Sequence, residues 1–260
     1  MGYSSLSLPA IPTLPVDRMS FMGLDFDPLD TTGLIEAANL HVRMKHPLTY
    51  VVTPNVDHMV RLDAEPQLKP LYEEAGFNVC DSRILEILAR LEGKHLPAAP
   101  GADIVENLIR DHIDPSDRIV VIGGGADIIE ALIRDFGFDD IAWHDPPMGM
   151  RNNPAAIDAA ARFLIEKNEG YAFLCVGSPQ QEMVAKRAVE MGGGRGVALC
   201  CGASLDFLTG KVERAPKWMR EARLEWLHRL ISQPKRLWKR YLVDGPKIFR
   251  IWMKSQKSAN

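Results

Sequence analysis

RIVVIGGGADIIEALIRDF, residues 118–136, is the stretch whose reading decides the fold. An apolar run from Arg118 to Ile122 predicts a strand, and three glycines follow it directly. The chain then passes into a segment of helical period, Asp127 to Phe136. Working outward, the same unit recurs. Tyr50–Thr53 ends in Pro54-Asn55, and Phe77–Cys80 ends at Asp81 before a helix over Ile84–Arg90. Asp140–His144 ends in Asp145-Pro146-Pro147, Tyr171–Val176 ends in Gly177-Ser178-Pro179-Gln180-Gln181-Glu182, and Gly196–Cys201 ends in Gly202-Ala203-Ser204. Helical segments fill the intervals, including Thr31–Lys45, Ala102–His112 and Pro154–Asn168. Strands alternating with helices predict an α/β fold: a Rossmann-like, mostly parallel sheet with helices on both faces.

In such sheets ligands bind beyond the carboxyl ends of the strands. Polar and glycine residues collect there: Thr53 and Asn55, Asp81, Gly123-Gly124-Gly125, His144 and Asp145, Gln181 and Glu182, and Gly202. This places a site without saying what it does. The triple glycine could bring backbone N–H groups to a diphosphate at a helix N-terminus. Asp145, about twenty residues on, stands where a dinucleotide fold holds its ribose-binding acid. Ile128, however, occupies the third fingerprint position, so an NAD-dependent oxidoreductase is the alternative and not the leading reading. The glycines suit a nucleotide of some kind, or merely a tight strand-to-helix turn.

Each carboxylate carries two readings. Asp81, alone at the end of an apolar run, suits a general base or the N-cap of the helix that follows. Gln181 and Glu182 suit a sugar or ribose, or merely the first turn of a helix. Asp206, in GASLDFLTG, binds ligand or braces the start of the basic C-terminal segment. Asp25-Phe26-Asp27 matches a metal-holding Asp-x-Asp pattern but reads as turn chemistry, because it precedes every sheet edge. The four cysteines, Cys80, Cys175, Cys200 and Cys201, form no ligand spacing and read as reduced, half-buried thiols.

The charge is divided unevenly. Residues 214–254 hold twelve Lys/Arg and three Asp/Glu, leaving −12 on the remainder of a chain whose formal net charge is −3. Trp218, Trp226, Trp238 and Trp252 lie in the same segment. Two amphipathic helices are predicted, one carrying Trp226, Leu227, Leu230 and Ile231, the other Leu237, Trp238, Tyr241 and Leu242, with Pro216 and Pro234 as boundaries. No run approaches the roughly 18 apolar residues that a bilayer span requires. Basic residues interleaved with aromatics suit a surface lying on a membrane. A core stripe or a nucleic-acid face would look similar, and the acidic body disfavours nucleic acid as a partner. Residues 1–17, rich in Ser and Pro, read as a disordered leader, 18–212 as the catalytic domain, and 213–260 as a membrane-associating helical appendage.

Taken together, TPNVDHMV (53–60), CDSRILEIL (80–88), PGADIVENLI (100–109), IGGGADI (122–128), HDPPMG (144–149), GSPQQE (177–182), GASLDFLTG (202–210) and RAPKWM followed by LEWLHRLISQPKRLWKRYL resemble the TagA/WecG/CpsF family of bacterial glycosyltransferases. The resemblance runs from about Arg18 to Phe249. It implies transfer of a sugar, with inversion and without a metal cofactor, from a nucleotide donor, usually UDP-linked, to a polyprenyl-diphosphate-linked acceptor at the inner membrane surface. It puts the base on Asp81, and contacts on Thr53, Asn55, Gln181 and Glu182; Gly101, Asp103, Gly123, Gly124, Gly202 and Asp206, in the same blocks, complete the candidate nucleotide- or substrate-binding set. The appendage arginines that meet the diphosphate fall on Arg214 and Arg220. Two departures stand out: Ser82 where many members have Gly, and Arg223 near the appendage Leu-Glu-Trp where many have Gly. Which sugar moves, the acceptor saccharide, and whether the protein is a homo-oligomer stay open.

Overall fold

A computed structural model describes residues 17–216, 218–219, 225–232 and 234–259. All of the expected leader except Asp17 lies outside them, as do Arg220 and Arg223. A hairpin of β1 (Met19–Phe21) and β2 (Leu24–Phe26) precedes α1 (Thr31–Arg43). Then come β3 (Thr49–Val52), α2 (Val56–Ala64), α3 (Pro70–Glu73), β4 (Phe77–Asn78), α4 (Arg83–Leu91) and α5 (Gly101–Asn107). The second half runs β5 (Ile119–Gly123), α6 (Ala126–Phe136), β6 (Ile141–His144), α7 (Pro154–Lys167), β7 (Tyr171–Cys175), α8 (Gln180–Met191), β8 (Val197–Cys200) and α9 (Ser204–Leu208). Three C-terminal helices follow among the described residues: α10 (Glu225–Ser232), α11 (Pro234–Trp238) and α12 (Lys247–Ala259).

β3 to β8 form one parallel six-stranded sheet in the order β4-β3-β8-β7-β5-β6. Alternation along the strands divides the core in two, as a pleat with both faces covered requires. Val120, Ile122, Ala172 and Leu174 join one cluster with α2, α4, α7 and α8. Ile119, Val121, Tyr171 and Phe173 join the other with α1, α5, α6 and α9. The helices leaving neighbouring strands β3 and β8 therefore depart to opposite faces, which opens a crevice at their carboxyl ends.

Two elements differ from the sequence reading. Asp25 and Phe26 belong to the hairpin and not to a turn, because Asp27 ties β2 to the sheet. Its carboxylate accepts from the Asn78 backbone N–H at 2.7 Å and from Arg18 Nε at 3.1 Å. The second difference is α12, a helix beyond the two expected. It folds back so that Ile248 enters the first cluster, while Trp252 Nε1 donates to Glu92 Oε1 at 2.7 Å. A continuation of the basic run toward Lys257 masked its one buried apolar edge.

Candidate active site

The crevice brings together residues far apart in the chain. A Cβ built on Gly101 would lie 3.2 Å from Thr53 Oγ1, 3.8 Å from Asp81 Oδ2 and 3.8 Å from Ser204 Oγ. Thr53 follows β3, Asp81 follows β4, Ser204 opens α9 and Gly101 opens α5, so four segments meet at one point. Gly101 is there because any side chain would fill the space that the three oxygens share. Asp81 is fixed through its backbone, whose N–H donates to Pro54 O at 2.9 Å, while Cys80 O accepts from Ala99 N at 2.8 Å. Ser204 was missed in the sequence, where nothing but a hydroxyl at a strand end marked it.

Asp81 does not cap α4. That role falls to Ser82, whose backbone is extended and whose hydroxyl accepts the Leu85 N–H at 3.3 Å. The departure from Gly at this position thus supplies a cap and leaves the Asp81 carboxylate on the site side. Asn55 has a structural duty as well. Its side chain accepts from the N–H groups of Asp57 and His58, and His58 Nδ1 accepts the Asn55 N–H, closing a capping box on α2.

Gln181 and Glu182, at the start of α8, are buried under the crevice at 4% and 1% exposure. Gln181 Nε2 donates to Glu182 Oε1 at 2.9 Å, and Gln181 Oε1 accepts the Gly202 N–H at 2.9 Å. Burial pushes the Glu182 carboxyl upward from its ordinary range, against smaller opposing effects from Gln181, Ser178 and Arg61. Beside them Arg61 Nη1 donates to Ser178 Oγ at 2.8 Å, and the Tyr72 hydroxyl lies 3.3 Å from the same oxygen.

Further along the sheet edge lies the glycine turn. Gly123, Gly124 and Gly125 all have positive φ, from 83° to 87°. A Cβ on Gly123 would sit 2.8 Å from Val176 Cγ1. Trp143 Nε1 donates to Gly123 O at 2.9 Å, and Lys211 Nζ reaches Gly124 O at 3.3 Å and Asp127 Oδ2 at 3.0 Å. Asp206 stands 3.7 Å from the same ammonium. Ile128, at the third fingerprint position, is fully buried. Asp145 lies exposed beyond β6, and Met148, three residues on, is wholly exposed.

On the other side of Ser204 a cavity of about 260 Å3 opens between α5 and α9, lined by Glu106, Arg110, Phe207 and Arg214 among others. Arg214 is held by α5, with Nη2 2.5 Å from Asp103 Oδ1 and Nη1 3.0 Å from Glu106 Oε2. Asp103 thus holds an arginine in this state. All four cysteines are free thiols. Cys175 and Cys201 approach to 3.6 Å, and burial pushes the Cys80 thiol up to about 12.

The C-terminal segment presents apolar side chains outward: Ile231 is 69% exposed, Trp238 51% and Leu242 59%. Leu227 and Leu230 are half-buried, and the side chains of Trp226, Leu237 and Tyr241 lie outside the described residues. No helix among the described residues is long and apolar enough to cross a membrane. Residues 19–260, nearly the entire chain and every segment of the crevice, match the family model described as Glycosyl transferase WecG/TagA/CpsF family.

Proposed function

The chain belongs to the WecG/TagA/CpsF family of glycosyltransferases, and from that premise we propose that it moves a sugar from a UDP-linked donor to a polyprenyl-diphosphate-linked acceptor. The observation that carries this reading is the meeting of Thr53, Asp81 and Ser204 around Gly101 at the carboxyl ends of neighbouring strands. Asp81 takes the proton of the acceptor hydroxyl as that oxygen attacks the anomeric carbon. The bond to the nucleotide diphosphate breaks on the opposite face, which inverts the centre. Thr53 and Ser204 hydroxyls orient the incoming sugar.

The departing diphosphate requires positive charge. The appendage arginines Arg214 and Arg220 supply it without a metal. Arg214 meets an anion from the cavity by exchanging or sharing its contacts to Asp103 and Glu106. A prenyl acceptor stays in its bilayer, so residues 213–260 dock on anionic lipid and bring the domain of residues 18–212 to it. Cations near such a surface contribute on the order of 1 kcal/mol each, and Ile231, Trp238 and Leu242 supply the apolar contact.

Thermal stabilisation of the full chain by UDP, GDP, UDP-sugars and NAD, each with and without EDTA, tests the reading. A shift with UDP that survives EDTA is expected. A shift with NAD alone would favour an oxidoreductase, and a UDP shift abolished by EDTA would restore the metal. The membrane step is better tested by Ile231→Gln/Trp238→Gln/Leu242→Gln than by truncation, since removing α12 uncovers the core at Ile248. The triple variant should lose vesicle binding and transfer to a long-chain acceptor together.

A further inference from the structure

We propose that Glu182, in its neutral form, is a positioning residue, fixing the Gln181 amide that holds the Gly202 turn and so setting Ser204 and Thr53 about Asp81. This rests on the transferase reading of the same crevice. The chain of contacts is continuous. Glu182 Oε1 accepts from Gln181 Nε2, which leaves Gln181 Oε1 as the acceptor for the Gly202 N–H. The reversed amide would put N–H against N–H, so the orientation is dictated by its partners. Gly202, with φ of 54°, begins the turn from which the Ser204 hydroxyl donates to Cys201 O at 2.7 Å. Ser204 Oγ then faces Gly101 with Thr53 and Asp81.

A second arm runs from the same β7–α8 turn. Ser178 accepts from Arg61 of α2, whose N-terminus lies just beyond Thr53. The turn thus braces the ends of both β3 and β8, the walls of the crevice.

The surroundings favour a carboxylic acid over a carboxylate. Glu182 Oε2 has no hydrogen-bond partner among the described residues. The titratable groups around the carboxyl are Tyr50 of β3, Arg61 of α2, Tyr72 of α3 and Cys200 of β8. Arg61, the only cation among them, already serves Asp57 at 3.1 Å and Ser178. A buried carboxylate would have the Gln181 amide, the Ser178 hydroxyl, its own backbone N–H and this shared guanidinium to set against a larger cost of desolvation. The neutral acid keeps its carbonyl for Gln181 and costs no charge. Glutamine reproduces that shape, and alanine removes it.

Wild type, Glu182→Gln and Glu182→Ala are compared by amide exchange of the segment carrying Gly202, by calorimetric UDP affinity, by turnover, and by melting temperature from pH 4 to 9. Donors are UDP-glucose, UDP-N-acetylmannosamine and their uronates, with a polyprenyl-diphosphate saccharide as acceptor. Glu182→Ala should speed exchange at Gly202 and lower kcat by about tenfold to hundredfold, with UDP affinity within about threefold of wild type. Glu182→Gln should restore both, and its melting temperature should gain on wild type as pH rises above 4.5. A Glu182→Gln enzyme as inactive as Glu182→Ala overturns the proposal, since a carboxylate would then be required. A melting-temperature difference between wild type and Glu182→Gln that stays constant from pH 4 to 9 also overturns it, even if Glu182→Ala does not fold. A wild type that transfers no sugar overturns the transferase reading, while the exchange comparison still decides the brace.

Discussion

The carboxyl edge of one sheet carries two clusters built on opposite plans. At the glycine turn after β5, the backbone is closed in by the protein itself: Val176 leaves no room for a Cβ on Gly123, and Trp143 and Lys211 donate to the carbonyls of Gly123 and Gly124. At Gly101 the nearest atoms are the oxygens of Thr53, Asp81 and Ser204. The first glycine cluster makes close packing possible, and the second keeps space among polar groups. A glycine in a strand-end turn is thus not in itself a mark of ligand binding; what its absent side chain would touch tells the two uses apart.

Substitution at Asp81 should separate the two clusters most widely. Asp81→Asn keeps size and shape, so UDP affinity and melting temperature should stay near wild type, while turnover falls on the order of 10²–10⁴-fold with loss of the base. Near-wild-type turnover in a variant that binds UDP would remove Asp81 from the chemistry and with it the reason to rank this cluster above the glycine turn.

Next come the two glycines. Gly123→Ala meets Val176 at 2.8 Å in a left-handed backbone, with φ of 83°. Strain of about 1–3 kcal/mol plus the clash should lower Tm by roughly 5–10 °C, with activity per folded molecule less affected. Gly101→Ala, at the start of a helix, should change stability by less than about 1 kcal/mol. Its methyl occupies the shared space near Thr53 Oγ1, so turnover should drop by tenfold or more, on the order of what a misplaced reacting group costs. Melting curves and initial rates on both variants check the crossing pattern, and a Gly101→Ala enzyme of normal activity would refute the division of roles.

The strands, their order in the chain and Asp81 were all legible from apolar runs and the residues that end them. The spatial order β4-β3-β8 was not, since parallel pairing is decided by packing between segments about 150 residues apart, in keeping with crossover topology. Hence Ser204 went unrecognised, and Gly101 entered through resemblance alone. Arg61 and Ser178 were hidden for the same reason: their hydrogen bond spans 117 positions. Asn55 and Ser82 show the opposite case, where a local rule for caps would have explained each residue without reference to any ligand.

Glu182 carries a pH-dependent effect on stability as well. Its folded pKa is raised above the ordinary 4.5, so the folded state holds the proton more tightly than the unfolded chain. Stability from this group is fully present below 4.5 and is lost as pH rises through the folded value. Glu182→Gln cannot titrate. Its melting temperature should therefore gain on wild type progressively above pH 4.5, a drift that thermal scans from pH 4 to 9 would read. A difference independent of pH would mean that the carboxyl is not held neutral in the fold.

The smallest effect expected is at Trp143, and it bears on the glycine turn alone. Trp143→Phe keeps most of the ring and removes the donor to Gly123 O. Because Trp143 is 36% exposed, water can take over part of that bond, and the net cost should sit near the low end of about 0.5–1.5 kcal/mol. That corresponds to a fall in Tm of roughly 1–3 °C. Turnover should remain within about twofold, because no atom of the Thr53–Asp81–Ser204 cluster depends on the indole. If this exposed ring instead controlled turnover while Tm held, the glycine turn would be part of the chemistry, and the contrast between a packing cluster and a reacting cluster would have to be redrawn with β5 at its centre.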